Sequence, residues 1–198
     1  EGSRGLGDVY KRQVEKYIPQ SPKVKNGKRI ALIGAGPASL TVARDLLPLG
    51  YECTIFEKDH KAGGLMRTNI PSFRLPADVL DEEIYRIINM GAELKLNSYI
   101  EKLKPVIDEY DSVFIGTGAP KGKDLKLKGR EISSENIHIG IDWLTSIAFE
   151  HVKKIGKKVI VIGGGNTAMD CCRSALRLGA NDVKAVSYTH LTLPTMDS

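Results

Sequence analysis

The sequence predicts an α/β protein with parallel strands, on three observations. An apolar run, Ile30–Ile33, breaks at Gly34-Ala35-Gly36 and leads into a helical pattern that starts at Pro37. A second apolar run, Cys53–Phe56, follows that helix and ends on Glu57. The same strand–glycine–helix order recurs at Val159–Ile162 and Gly163-Gly164-Gly165, 129 residues after Gly34. Strand and helix alternating in this way make parallel βαβ units. The spacing is too long for a short structural repeat.

Residues 28–57 explain themselves position by position. Gly34 permits a tight turn, and Gly36 removes the Cβ that would keep an anion from the backbone. Pro37 suits the first helical position, where its missing N–H is no loss. The helix end that Pro37 and Ala38 begin points its free N–H groups, from Ala38 onward, toward a phosphate. Leu40, Ala43, Leu46 and Leu47 follow at helical spacing, and Gly50 ends the helix. Glu57 stands 23 residues after Gly34, about where a ribose hydroxyl needs a carboxylate acceptor. The third fingerprint position is Ser39, a departure that is still small enough for close helix–strand packing.

Next come a polar loop to Ala62, Gly63-Gly64-Leu65-Met66 and Ile70-Pro71-Ser72-Phe73-Arg74-Leu75-Pro76. Asp78 is expected to cap a helix through Met90, with an apolar stripe of Val79, Leu80, Ile84, Ile87 and Ile88 and with Gly91 at C′. Short elements follow: a strand at Glu93–Leu96, a helical turn at Lys102–Asp108, and a strand at Asp111–Ile115 that ends in Gly116-Thr117-Gly118-Ala119. Lys121–Glu131 is a charged loop, and Gly140–Ile155 is amphipathic and helical around Trp143. After the second apolar run, Gly163, Gly165 and Ala168 repeat the fingerprint, and Asn166 and Thr167 open its helix. Met169, Cys172, Leu176 and Leu178 are the expected inward face. Val183–Val186 begins another strand, and this part of the sheet is expected to show an uncovered apolar face.

Two nucleotide folds imply two dinucleotides. The economical pair is a flavin in the first and a nicotinamide in the second.

Composition narrows the class further. The chain has 198 residues, is 41% hydrophobic and 27% charged, and carries a net charge of +5. Its basic residues are scattered, so nucleic-acid binding is not suggested. No run of apolar residues is long enough to cross a membrane. Cys53, Cys171 and Cys172 form neither metal-ligand nor redox spacing and fit reduced thiols in the cytoplasm. His60, His138, His151 and His190 share no spacing with acids, so no metal site is expected.

Five motifs in order carry a resemblance: G-A-G-P-A-S at 34–39, G-G-L-M at 63–66, I-P-S-F-R-L-P at 70–76, G-T-G-A at 116–119 and G-G-G-N-T-A-M-D at 163–170. Over residues 28–186 the chain resembles the small-subunit family of NADPH-dependent glutamate synthase, which is similar to the flavin half of dihydropyrimidine dehydrogenase. The resemblance implies two Rossmann-like folds, an NAD(P) fold inserted in a FAD fold, both incomplete here. It implies FAD and NADP or NAD as cofactors, with Gly64, Leu65, Arg74 and Thr117 on the cofactor side. Arg74 suits this chemically, as a permanently charged planar fork matched to phosphate or flavin carbonyl oxygens. Gly116 stands where the family more often has Ala.

The expected activity is hydride transfer from NAD(P)H to FAD, then electron transfer to iron–sulfur centres or a partner oxidoreductase subunit. A self-contained flavin enzyme acting on its own substrate and a non-catalytic redox sensor are the alternatives. The cofactors carry the chemistry, so no catalytic acid or base is named.

The domain plan expected from the sequence has five parts. Residues 1–13 are a non-native leader, and 14–27 are a linker from an N-terminal domain. Residues 28–155 are the first part of the FAD-binding domain, and 156–186 begin the NAD(P)-binding domain. Residues 187–198 are a non-native tail. Both ends resemble translated sequencing-adapter strings. This plan makes the chain a fragment without activity of its own.

Overall fold

The computed structural model describes residues 21–124 and 129–187. The expected leader, residues 14–20 of the linker, His190 and nearly all of the expected tail lie outside the described residues. Two compact units make up the chain. The first joins the residues up to Gly63 with Asp81–Thr117, and the second joins Gly64–Leu80 with the residues from Gly118 onward.

The first unit holds a parallel sheet in the order β3-β2-β1-β4. Strand β1 is Arg29–Ile33, helix α1 is Pro37–Leu46 and strand β2 is Glu52–Phe56. A 3-10 turn, Leu47–Leu49, closes α1, because Pro48 has no N–H with which to continue the helical ladder. Helix α2 is Ala77–Asn89, β3 is Glu93–Lys95, α3 is Leu103–Glu109 and β4 is Ser112–Ile115. The register pairs Ile30 with Cys53 and with Ser112, so β1 lies between β2 and β4. Its side chains read as a continuous apolar run because Ile30–Ile33 are all buried. Ala31 packs with Val106 and Tyr110, and the Phe56 and Tyr110 rings meet edge to face. From the linker, Asn26 donates its backbone N–H to the Gly50 carbonyl at 3.0 Å.

The second unit has a two-stranded parallel sheet. Helix α4 is Gly140–Ala148, β5 is Lys158–Ile162, α5 is Asn166–Arg177 and β6 is Asp182–Val186. Trp143, Leu144, Cys171, Ala175 and Ala180 form its core, with Ile147, Ile155, Val159 and Val161 packed against them. One face of the sheet is open, and Ile160 and Ile162 remain 69% and 51% exposed.

These units do not coincide with a linear division near residue 156. Trp143, Leu144, Ile147 and Ile155 supply the apolar cover of β5 and α5, so their stretch folds with the later strands.

Four local expectations are corrected. Asp78 is not the cap of α2; it sits in the first turn, and the Pro76 carbonyl accepts the N–H of Leu80 at 3.3 Å. The Asp78 carboxylate there complements the positive helix end. Val79 is 46% exposed and leaves the expected stripe, while Leu80 and Ile84 are buried. The helix expected over Gly140–Ile155 stops at Ala148. Glu150 adopts a positive φ, and the N–H groups of His151 and Val152 both reach the Ser146 carbonyl, so Ile155 returns to the core from a loop.

The inward face of α5 is the fourth. It is formed by Ala168, Asp170, Cys171, Ser174 and Ala175, whereas Leu176 is 53% exposed. Of the expected face, Leu178 does pack against the core, and small side chains line the helix where it lies close on its strands.

Candidate functional site

The first glycine loop is held before any ligand arrives. Gly34 has φ +93, and a Cβ built on it would lie 2.6 Å from the Gly116 carbonyl oxygen. Both facts demand glycine at this position. Gly34 N–H donates to the Phe56 carbonyl at 2.8 Å. The next peptide is clamped on both sides. Ala35 N–H donates to Glu57 Oε2 at 2.8 Å, and the Ala35 carbonyl accepts the N–H of Gly63 at 2.9 Å. Gly36, the N-cap of α1, has an ordinary extended backbone (φ −82, ψ 178). Its conformation therefore does not require glycine. Pro37 and Ala38 are exposed at the same helix end, and Thr117 is exposed beside Gly34.

Glu57 has a second duty that the sequence did not show. Its carboxylate is buried, and Oε1 accepts the N–H of Asp59 at 3.0 Å while Oε2 braces Ala35. Each carboxylate oxygen has a further lone-pair direction beyond these two bonds. The same carboxylate thus shapes the turn and offers an acceptor beside it.

The second loop repeats this backbone. Gly163 has φ +137, and a Cβ there would meet the Ala168 Cβ at 3.3 Å. Gly165, the N-cap of α5, has φ −81 and ψ 179, and a Cβ on it would meet nothing within 4 Å. Neither its conformation nor its neighbours explain this glycine. Open space at a helix N-terminus is the cradle a pyrophosphate needs. Asn166 and Thr167 are exposed at the rim of this loop.

Arg74, Gly64 and Leu65 fold with the second unit. Gly64 caps the one-turn helix Leu65–Thr68, and Leu65 is 37% exposed. Arg74 Nη1 donates to Asp170 Oδ2 at 2.6 Å. The guanidinium is 40% exposed and the carboxylate 3%, so a buried acid holds a half-exposed planar fork. The neighbouring Phe73 ring lies under the Arg177 guanidinium at 3.7 Å. Both contacts reach the same helix, α5. Asp170 closes the G-G-G-N-T-A-M-D motif, and the sequence assigns it no role. The available signal was a carboxylate among small residues on an inward helix face.

The thiols are poorly suited to redox work. Burial pushes Cys53 up to about 11, and burial with the nearby Cys172 and Asp170 pushes Cys171 up to about 11. Burial also raises Cys172. All three are free. Among the described residues no group of three or more His, Cys, Asp or Glu is placed to hold a metal ion, and no helix is long and apolar enough to cross a membrane.

Comparison with known proteins agrees with this geometry. The chain is 39% identical over 171 residues to the beta subunit of an NADP(+)-dependent formate dehydrogenase of Moorella thermoacetica, an alignment that covers 84% of this chain and 24% of the relative. It is 34% identical over 181 residues to the small chain of glutamate synthase [NADPH] of Bacillus subtilis, covering 83% of this chain and 36% of the relative. Among solved structures, a 2-naphthoyl-CoA reductase superposes with a TM-score of 0.67 at 25% identity, over 85% of this chain and 24% of that one. The chain thus spans between a quarter and about a third of the length of these relatives.

The resemblance to glutamate synthase small chains holds in these matches. The profile of the pyridine nucleotide-disulphide oxidoreductase family matches residues 28–198. FAD and NADP or NAD are the cofactors of that family. With most of its length inside that match, the chain belongs to the pyridine nucleotide-disulphide oxidoreductase family.

Proposed function

We propose that the chain is part of a flavin-dependent oxidoreductase subunit that transfers hydride from NAD(P)H to FAD and passes electrons onward to iron–sulfur centres or a partner subunit. The observation that carries this reading is the matched pair of glycine loops. Gly36 and Gly165 share one backbone conformation at the N-termini of two helices, each reached from a parallel strand. Bound FAD supplies the step between a two-electron donor and one-electron acceptors.

Every other part of the reading concerns the chain's own groups. Gly34 and Gly36 shape the first loop, and the backbone N–H groups from Ala38 onward offer donors to a pyrophosphate. Glu57 accepts from a ribose hydroxyl while it keeps the turn closed. Thr117 borders the same loop. Gly163, Gly165, Asn166 and Thr167 do the corresponding work for the nicotinamide nucleotide. Gly64 and Leu65 line the flavin, and Arg74, steadied by Asp170, offers donors to flavin or phosphate oxygens.

Three relatives support the subunit reading by their names: a formate dehydrogenase beta subunit, an NADPH-Fe(3+) oxidoreductase beta subunit and a glutamate synthase small chain. The absence of a C-x-x-C pair among the three cysteines separates this chain from dithiol reductases. The likeness to 2-naphthoyl-CoA reductase favours a second reading, a flavin enzyme with its own substrate.

The test uses the whole subunit of which this chain is read as a part, under anaerobic conditions. The expected result is FAD bound at one equivalent and bleached by NADPH or NADH, with electrons recovered on a one-electron acceptor. Nucleotide binding without bleaching would leave only a binding module.

A further inference from the structure

Ser39 stands where the first glycine fingerprint ordinarily has its third glycine, and the structure puts it against Gly116. Ser39 occupies the third fingerprint position, which ordinarily needs glycine so that helix and strand can meet. It lies in the first turn of α1 and has no exposed surface. Its Oγ is buried and makes no hydrogen bond. Gly116 follows β4, and its N–H donates to the Ile33 carbonyl at 2.8 Å. A Cβ built on Gly116 would overlap Ser39 Oγ, while lying 3.0 Å from Phe114 Cε1 and 3.4 Å from Ser39 N. Turning the hydroxyl aside would need room around a side chain that has no solvent surface, while the Ser39 backbone nitrogen is at ordinary contact distance.

Gly116 also has no room to retreat. Its carbonyl oxygen is the atom that a Cβ on Gly34 would approach to 2.6 Å. The Gly116 backbone is wedged between the glycine turn on one side and the first turn of α1 on the other. A side chain on Gly116 that pushed it away from Ser39 would drive it into the turn. Close-packed interiors transmit such a displacement rather than absorb it.

We propose that Ser39 and Gly116 are a matched steric pair: the side chain carried at the helix leaves room only for glycine at the strand end. Together they set the distance between the β4 terminus and the α1 N-terminus, and so the position of the backbone donors that receive the pyrophosphate. They are positioning residues. This inference rests on the first loop being the FAD site.

A double-mutant cycle on the full chain tests it. FAD affinity and thermal unfolding are measured for Gly116→Ala, Ser39→Ala and the double variant, with binding read well below every melting temperature. Gly116→Ala is expected to weaken FAD binding about tenfold or more, equivalent to at least 1.4 kcal/mol. Ser39→Ala removes only an unpaired hydroxyl and keeps the helix, so it is expected to bind FAD normally and melt no lower. The double variant is expected to return to within about twofold of the unaltered chain, since the overlapped atom is gone.

Val106→Ala, in the core of the same unit, controls for stability alone, lowering the melting temperature with FAD affinity unchanged. A double variant no better than Gly116→Ala, or a Gly116→Ala chain that binds FAD normally, overturns the proposal. If the unaltered chain binds no FAD, the functional reading fails, and the melting temperatures decide the pair: rescue of Gly116→Ala by Ser39→Ala supports it and additivity overturns it.

Discussion

The two glycine loops have almost the same backbone and very different surroundings. Gly36 and Gly165 differ by one degree in each dihedral, and both initiate a helix after a parallel strand. Around the first loop, β1 is buried along Ile30–Ile33 between two neighbouring strands. Around the second, β5 has one partner and alternates between covered and exposed side chains. The buried acids differ too. In the first unit, Glu57 at the strand end braces the turn itself. In the second, Asp170 lies on the helix and holds an arginine, while the equivalent first-unit position, Thr41, is exposed. The comparison teaches that the glycine pattern dictates a local path, and that the elements packed around it decide what the path is braced by.

Within each loop the two glycines have different reasons to be glycine, and this gives the largest predicted contrast. Gly34→Ala forces a side chain into a positive φ and against the Gly116 carbonyl. It should lower stability by roughly 2–4 kcal/mol in chemical denaturation. Gly165→Ala meets nothing within 4 Å among the described residues and should cost less than about 1 kcal/mol. Its effect should appear instead as a tenfold or greater loss of NAD(P)H affinity. Equal destabilisation by the two changes would break the comparison.

The next contrast concerns the acid on α5. Arg74→Ala leaves the Asp170 carboxylate buried without its cation. A stability loss of about 2 kcal/mol is expected, smaller than for a fully buried pair because the guanidinium is half exposed. The companion change Thr41→Ala in the first unit should stay within about 0.5 kcal/mol. Hydrogen exchange sharpens this, since protection should fall around residues 70–76 in Arg74→Ala while β1 amides stay slow. Unchanged exchange there would mean that Phe73 on Arg177 holds the segment without help from the ion pair.

The smallest expected effect is electrostatic and sits at the opposite end of the first sheet. Asp111 accepts the Arg29 N–H at 2.8 Å and pairs with Lys28 at 2.9 Å, tying the starts of β1 and β4 together. The Arg29 amide, followed by the Lys28 ammonium, holds the Asp111 carboxyl below its ordinary value. A carboxyl lowered in the folded state contributes stability above its unfolded pKa and loses it as pH falls through the folded one. The contribution should therefore be complete above about pH 5 and fade below about pH 4. The Asp111 hydrogen bond raises Lys28 in turn, so its share is present at neutral pH and lost only as pH rises through the raised value. Exchange of the Arg29 amide followed over the acid range would register the first change, and Asp111→Asn should flatten that profile.

Much of the fold was legible because it depends on local rules. The strands at Ile30, Cys53, Val159 and Val183 were set out by apolar runs, and the α1 and α5 starts by Gly-x-Gly. Errors arose where a local pattern left more than one way to satisfy it. Apolar periodicity through Ile155 fits one long helix, but the chain turns at Glu150 and still buries Ile155. On α5, hydrophobicity favours Leu176, while close packing admits Ala168, Cys171 and Ala175. In the candidate site, the loop glycines and Glu57 were readable from spacing. Asp170 was not, because its partner Arg74 is 96 residues away along the chain.

The sequence alone determined the parallel α/β class, both glycine turns and the resemblance to glutamate synthase small chains, since each is written in short runs of residue type and spacing. Only the tertiary structure decided that Gly64–Leu80 folds with the later strands, that Glu57 braces Ala35, that Arg74 rests on Asp170 and that Ser39 faces Gly116. Those outcomes are contacts between segments distant along the chain. Their partners are selected by fit, burial and the need to satisfy buried polar groups, and no local pattern specifies them.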